Sequence, residues 1–358
     1  MAAKMKAAVF VEPGRIVLED KPIPDIGPLD ALIRITTTTI CGTDIHILKG
    51  EYPVAKGLTI GHEPVGVIEK LGSAVRGYHE GQRVIAGAIT PAGTSYASLC
   101  GFHSQCGGQD GHGWKAIGGW RFGNTIDGAQ AEYLRVPDAM ANLAPVPDRL
   151  SDEQVLMCPD IMSTGIGGVE SGSVKIGDSV AVFAQGPIGL CATAGAFMMG
   201  ATTIIGVESV PERMAMARKM GATHVIDFSK VDPVDEIRRI TAGRGVDVAI
   251  EAASSVAALE TAYKITRPGG TTVTVSLTHP THTFNLPATN LVVEERTLKG
   301  SFLGSAVPQR DLPRYIALYK AGRLPIDKLV THRIKLDEIN LGFDRLANGQ
   351  AIRQVIVF

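Results

Sequence analysis

The sequence predicts an α/β chain in two parts: a β-rich portion, and a doubly wound parallel sheet covered by helices on both faces. Three observations carry this. At 358 residues the chain is too long for one ordinary core. From about residue 162 onward, short apolar runs of strand length alternate with segments of helical spacing. That alternation needs crossover connections, and so a parallel sheet buried on both sides. Before about residue 141 the runs are strand-like, separated by Gly and Pro, with no long helical periodicity.

Composition narrows the class. Apolar residues make up 45% and charged residues 20%, with a net charge of -1. This is the balance of a soluble globular protein, and disorder would need the opposite one. Near-neutrality supplies no electrostatic attraction to nucleic acid or to an anionic membrane. The most apolar region, 179–207, is cut by Gly186-Pro187, Gly189, Gly195 and Gly200, so it reads as a buried strand-helix-strand rather than a membrane span. Residues 1–11 lack the apolar core of a secretory signal. The five cysteines (Cys41, Cys100, Cys106, Cys158, Cys191) are odd in number and scattered, which predicts a reducing compartment, the cytoplasm, over a disulfide framework.

Taken in order, residues 6–11, 31–38, 65–71, 83–87 and 131–136 read as strands of a small barrel. Residues 91–124 hold many glycines and both tryptophans with little periodicity, and a loop of that length predicts a lid or an interface. Further on, strands at 179–184, 203–208, 224–228, 246–252 and 271–276 alternate with helices at 188–200, 211–220, 233–241 and 256–266. Pro211 stands in the first turn of its helix, where its missing N–H costs nothing. The final stretch, 305–358, carries helices at 312–321 and 339–347 and a closing strand at 354–358, and is expected to return to the first part. The expected domains are therefore 1–163 with 303–358, and 164–302.

The run Ala184-Gln185-Gly186-Pro187-Ile188-Gly189 follows a strand and opens a helix. In a Rossmann dinucleotide fold this tight turn points backbone N–H groups and a helix N-terminus at a pyrophosphate. Ala184 stands where the fingerprint has its first glycine. Nineteen positions after Gly189, at the end of the next strand, Glu208 is placed to bond both ribose hydroxyls. Its carboxylate would repel a 2′-phosphate, and Ser209-Val210 brings no adjacent arginine to bind one. The cofactor read here is NAD. Its candidate contacts are Gly186, Pro187, Ile188, Gly189 and Glu208, with Arg213 in the following helix.

A second constellation lies in the β-rich part: Cys41-Gly-Thr43-Asp44-Ile-His46 and Gly61-His62-Glu63. Thiolate and imidazole are good zinc ligands, and a catalytic zinc needs three protein ligands and an open position. Candidates for the third ligand are Glu63, Asp160 and Cys158.

Gly61-His62-Glu63-Pro-Val-Gly66 together with Cys41-Gly-Thr-Asp44 resembles the zinc signature of the medium-chain alcohol dehydrogenases. The likeness runs along nearly the whole chain, including Gly186-Pro-Ile-Gly189 and the closing strand. It implies a GroES-like catalytic domain with one catalytic zinc, joined to an NAD-binding Rossmann domain. Pro159-Asp160-Ile-Met-Ser-Thr164-Gly165 and Gly118-Gly119-Trp120 resemble the bacterial secondary-alcohol dehydrogenases, which makes Asp160 the implied third ligand. By the same resemblance Thr43 bonds the substrate oxygen, His46 passes the proton outward, and Asp44 orients His62. Glu63 stands behind the ligands or joins the metal when the site is empty, and Thr164 lies near the nicotinamide. Ala88, Trp120, Leu277 and Phe302 match pocket-lining positions, and their apolar character favours alkyl or aryl substituents.

Many relatives hold a structural zinc on four cysteines in the segment corresponding to 91–124. Here only Cys100 and Cys106 remain, with His103 and His112 as substitutes, and the secondary-alcohol group lacks that site. Members of that group that use NADP carry small and basic residues where this chain has Glu208 and Val210. The implied activity is interconversion of secondary alcohols and ketones by hydride transfer to and from NAD, in a homotetramer. A polyol or formaldehyde dehydrogenase shares the scaffold and metal. A zinc-free quinone reductase would need no ligands at Cys41, His62 and Asp160. A non-enzymatic nucleotide-binding protein on the same fold would need a disrupted relay, whereas Thr43 and His46 are both present.

Overall fold

The structure is a computed structural model that describes residues 3–108 and 113–358. The chain divides into two compact units, Met1–Asp160 with Ser305–Phe358, and Ile161–Gly304. The cuts fall after Asp160 and Gly304 rather than after 163 and 302, and side-chain contacts explain both. Asp160 packs against Cys41 and His62, and the Ser305 hydroxyl bonds that of Ser104 at 2.7 Å.

The first unit is built on a seven-stranded sheet. Its path runs Val330–Ile334, Arg353–Val357, Ala31–Ile40, Val65–Leu71, Arg83–Ala86, Leu143–Pro145, and Tyr133–Val136 also pairs with Ala31–Ile40. The inward side chains Ile33, Ile35, Ile68, Val84, Phe122, Leu134 and Leu143 pack as one core cluster. The closing strand does return to this unit, antiparallel to Ala31–Ile40, with Gln354 opposite Ile40.

A three-stranded sheet joins Lys4–Glu12 to Arg15–Pro22 and Leu58–Thr59. Arg15–Pro22 escaped the sequence reading for a physical reason. Ile16 is its one buried residue, so it shows no apolar alternation, and pairing to Lys4–Glu12 makes it a strand. Gly14, at φ +78°, makes the tight reversal between them. Residues 91–124 are not wholly irregular: a short helix, Tyr96–Leu99, is capped by the Ser95 hydroxyl, and a tight turn spans His103–Gln105.

The second unit is a six-stranded parallel sheet. Across the sheet the strands run His224–Asp227, Thr203–Glu208, Ser179–Phe183, Val246–Glu251, Thr266–Thr274, Thr297–Gly300. In sequence order this is 3-2-1-4-5-6, the arrangement that opens a ligand crevice where the order reverses, between the first and fourth strands. Ser179–Phe183 is buried throughout. Val180 and Val182 feed one core cluster while Ala181 and Phe183 feed the other, as the two-residue period of a strand requires. That is why these strands read as continuous apolar runs.

Candidate metal centre and nucleotide turn

The metal centre grows from the end of strand Ala31–Ile40. Cys41 follows it directly and caps helix Gly42–Leu48, with its backbone N–H donating to Asp44 Oδ2 at 2.9 Å. The Thr38 hydroxyl donates to the Glu63 carbonyl at 3.0 Å, which ties the Gly61–Glu63 turn to the same strand. Gly61 sits at φ +91°, and a Cβ there would stand 2.6 Å from Gln130 Cγ, so only glycine fits beside His62. Asp160 arrives on a single wide i→i+5 turn, Cys158–Met162. Pro159 has no N–H to give a regular ladder, and turns of this kind gather at functional sites.

These pieces bring donor atoms of Cys41, His62, Glu63 and Asp160 within 4.8 Å of one another, all four side chains buried. Asp160 Oδ2 lies 3.4 Å from Cys41 Sγ and 3.4 Å from His62 Nε2. Among the described residues this is the one such group, and Cys158, although buried, stands outside it. Behind it, His62 Nδ1 and Asp44 Oδ1 face each other at 3.8 Å, neither with a hydrogen-bond partner. A thiol, an imidazole nitrogen and a carboxylate crowded out of water fit a zinc ion, whose charge would offset the desolvation of the anionic ligands.

The electrostatics are those of a site arranged around positive charge. Burial pushes the Asp160 carboxyl up, but His62 and Arg353 outweigh it and hold it at about 2. Burial pushes His62 down, yet bonds to Asp160 and Cys41 raise it well above the usual imidazole range. Burial raises Glu63 to about 7 against the pull of Arg353, whose guanidinium donates to Glu63 Oε1.

Sequence reading missed Arg353. The signal was a lone basic residue in the apolar run Ala351-Ile-Arg-Gln-Val-Ile-Val-Phe, since an arginine buried in a strand demands a partner. It also missed Glu51, whose Oε2 binds His46 Nδ1, and Tyr52, whose ring lies 5.0 Å from that of His46. Thr43 Oγ1 is 3.7 Å from Cys41 Sγ. Trp120 is buried with its ring 6.2 Å from that of His62, edge to face, and Ala88 is buried in the same unit. Thr164, Leu277 and Phe302 belong to the other unit.

Of the structural-zinc candidates, Cys100 is exposed, while Cys106 Sγ accepts from the Ser95 hydroxyl at 3.1 Å and the Ala92 N–H at 3.4 Å. His112 lies outside the described residues.

In the second unit, the turn after Ser179–Phe183 is tight enough to explain its sequence. Ala184 takes φ +66°, the left-handed region where the fingerprint has glycine. A Cβ on Gly189 would stand 1.9 Å from the Ala184 carbonyl oxygen, whereas one on Gly186 would meet open space. Pro187 and Ile188 form the first turn of helix Pro187–Met198. Glu208 closes the neighbouring strand: its Oε2 accepts from the Gln185 N–H at 2.9 Å, and its Oε1 from the N–H groups of Ser209 and Val210. Arg213 Nη1 lies 3.9 Å from Glu208 Oε2.

Residues 27–148 match the family described as "Alcohol dehydrogenase GroES-like domain", and residues 187–321 that described as "Zinc-binding dehydrogenase". The fold and the site thus define a two-domain zinc-binding dehydrogenase, and the chain belongs to the zinc alcohol dehydrogenase family. It is 58% identical to an alcohol dehydrogenase of Cupriavidus necator over 97% of this chain and 96% of that one. It is 33% identical to an NADP-dependent isopropanol dehydrogenase of Thermoanaerobacter brockii, covering 96% of this chain and 94% of that one. Among solved structures, alcohol dehydrogenase TADH from Thermus sp. ATN1 superposes with a TM-score of 0.86 at 32% identity, over 99% of both chains.

Proposed function

We propose that the protein interconverts secondary alcohols and ketones, using one zinc ion per chain and NAD. The observation that carries this is the buried convergence of Cys41, His62 and Asp160 beside Thr43. Those three residues would hold the ion, and bound zinc supplies a Lewis acid that lowers the pKa of an alcohol oxygen. Thr43 Oγ1 hydrogen-bonds that oxygen and takes up its proton as another leaves toward His46. The Glu51 carboxylate beside His46 stabilises the imidazolium that results, and the proton then reaches solvent. Bound NAD would supply the hydride acceptor, so that the carbinol carbon would become a ketone carbon.

Asp44 serves as acceptor for His62 Nδ1–H, and Glu63, paired with Arg353, balances charge behind the ligands. Gly186, Pro187, Ile188 and Gly189 take the pyrophosphate, Thr164 the nicotinamide, and Glu208 with Arg213 the adenosine ribose. NAD rather than NADP is favoured by the Glu208 carboxylate, which repels a 2′-phosphate, although the T. brockii relative is named NADP-dependent. The apolar character of Ala88 and Trp120 in the first unit, and of Leu277 and Phe302 in the second, favours alkyl or aryl substituents over polyols. No helix is long and apolar enough to cross a membrane among the described residues. The free cysteines support a cytoplasmic enzyme. Pairing between subunits is supported by the edge strand Thr297–Gly300 and the exposed Val292 and Val293, and a homotetramer by the resemblance to the bacterial secondary-alcohol dehydrogenases.

Turnover of 2-propanol against sorbitol tests the substrate class. The proposal requires 2-propanol to have the higher kcat/KM by about tenfold or more, a gap of roughly 1.4 kcal/mol. A clear preference for sorbitol would make the protein a polyol dehydrogenase.

A further inference from the structure

We infer that Gln130 is a positioning residue of the metal centre: it pins one oxygen of Asp44 so that the other is left for His62. This rests on the zinc reading above and adds a member to that site.

Gln130 is fully buried, and its backbone is fixed on both sides: its N–H donates to the Ile60 carbonyl and its carbonyl accepts from the Ala8 N–H. Its Nε2 donates to Asp44 Oδ2 at 3.0 Å and to the Thr39 carbonyl at 3.1 Å, using both amide hydrogens. The orientation of the amide is dictated by its surroundings, because a carbonyl and a carboxylate can only accept. Asp44 Oδ2 also receives the Cys41 N–H. Two donors therefore hold one oxygen, while Oδ1 has no bond and lies 3.8 Å from His62 Nδ1.

An imidazole that binds metal through Nε2 keeps its proton on Nδ1, and that proton needs a fixed acceptor. A carboxylate held by one donor can rotate; held by two it presents a set oxygen. The cost of the arrangement points the same way. Gln130 Oε1 is buried without a partner, a penalty that a hydrocarbon side chain of similar shape would avoid. The amide nitrogen serves two buried acceptors, Asp44 and the Thr39 carbonyl, at the cost of an orphaned oxygen.

The test uses purified protein stripped of metal, with zinc affinity read by competition with a chromogenic chelator. Gln130→Met keeps the volume and removes the donor. The expected result is zinc bound about 10- to 100-fold more weakly. The melting temperature of the metal-free variant should fall by a few degrees at most, since two buried acceptors lose a donor, and it is read separately from the zinc affinity. Asp44→Asn should also weaken zinc, and adding Gln130→Met to it should weaken zinc no further, because Gln130 acts through Asp44. Zinc affinity within about twofold of wild type in Gln130→Met, or fully additive losses in the double variant, would overturn the inference. If Gln130→Met does not fold, Gln130→Asn, which keeps the amide but withdraws it from Asp44, is read by the same criteria. Wild type that binds no zinc would sink the zinc reading itself, whereas tight binding in both proteins would sink only the role of Gln130.

Discussion

Arg353, in the closing strand, donates from Nη2 to Oε1 of Glu63, which lies 290 residues earlier in the chain, and both side chains are almost wholly buried. The pair joins the last strand of the first unit to the residue beside His62. Two desolvated charges so placed depend on each other: breaking a buried pair leaves a bare charge, while replacing both partners costs far less.

Arg353→Met should therefore destabilise the protein by about 3–5 kcal/mol, because Glu63 and Asp160 lose their buried cation. The denaturation midpoint in urea measures this, and Glu63→Gln combined with Arg353→Met should recover much of the loss. A single-variant cost below about 1 kcal/mol would mean that water reaches the pair.

Glu208 is the residue proposed to favour NAD over NADP. Glu208→Ala removes the group that would bond the ribose hydroxyls and repel a 2′-phosphate. The ratio of kcat/KM with NAD to that with NADP should fall by at least about tenfold, the worth of one charged hydrogen bond. The ratio is the proper reading, since three backbone N–H groups also lose their acceptor. An unchanged ratio would remove Glu208 from cofactor choice.

Asp247 offers a pH test remote from the metal site. Burial pushes its carboxyl up, but hydrogen bonds from Ser179 and Arg267 and the charge of Arg244 hold it well below the usual carboxylate range. A depressed folded value means that the ionised form is stabilised by folding. That stability is complete above the unfolded value of about 3.9 and is lost as pH falls toward the folded value. Asp247→Asn should cost about 1–3 kcal/mol at pH 7. The gap between the two proteins should narrow below about pH 4 in urea melts at several pH values. A gap that stays constant down to pH 3 would show that shape, not charge, holds the strand ends.

The second unit was the more legible in sequence. Its strands bury both faces, so runs such as 179–183 and 203–208 stand out as apolar blocks, and Glu208 falls at the end of a strand. In the first unit, local pattern carries less. Arg15–Pro22 is a strand through its partner alone, and the wide turn at Cys158–Met162 has no periodic signature. At the metal centre the chemistry-bearing residue types were readable: Cys41, His62, Glu63 and Asp160 do come together. Their supports were not. Arg353, Glu51 and Gln130 matter through contacts with residues that nothing in their own neighbourhoods announces, and two of the three act across more than eighty positions.

The most direct test of the central claim is metal content by mass spectrometry on wild type and Asp160→Ala, with NAD-dependent oxidation of 2-propanol assayed on the same samples. One zinc per chain is expected in wild type, with loss of both metal and activity in the variant. Near-stoichiometric zinc with full activity in Asp160→Ala would contradict the ligand set, and wild type prepared without chelators yet free of zinc would contradict the mechanism as a whole.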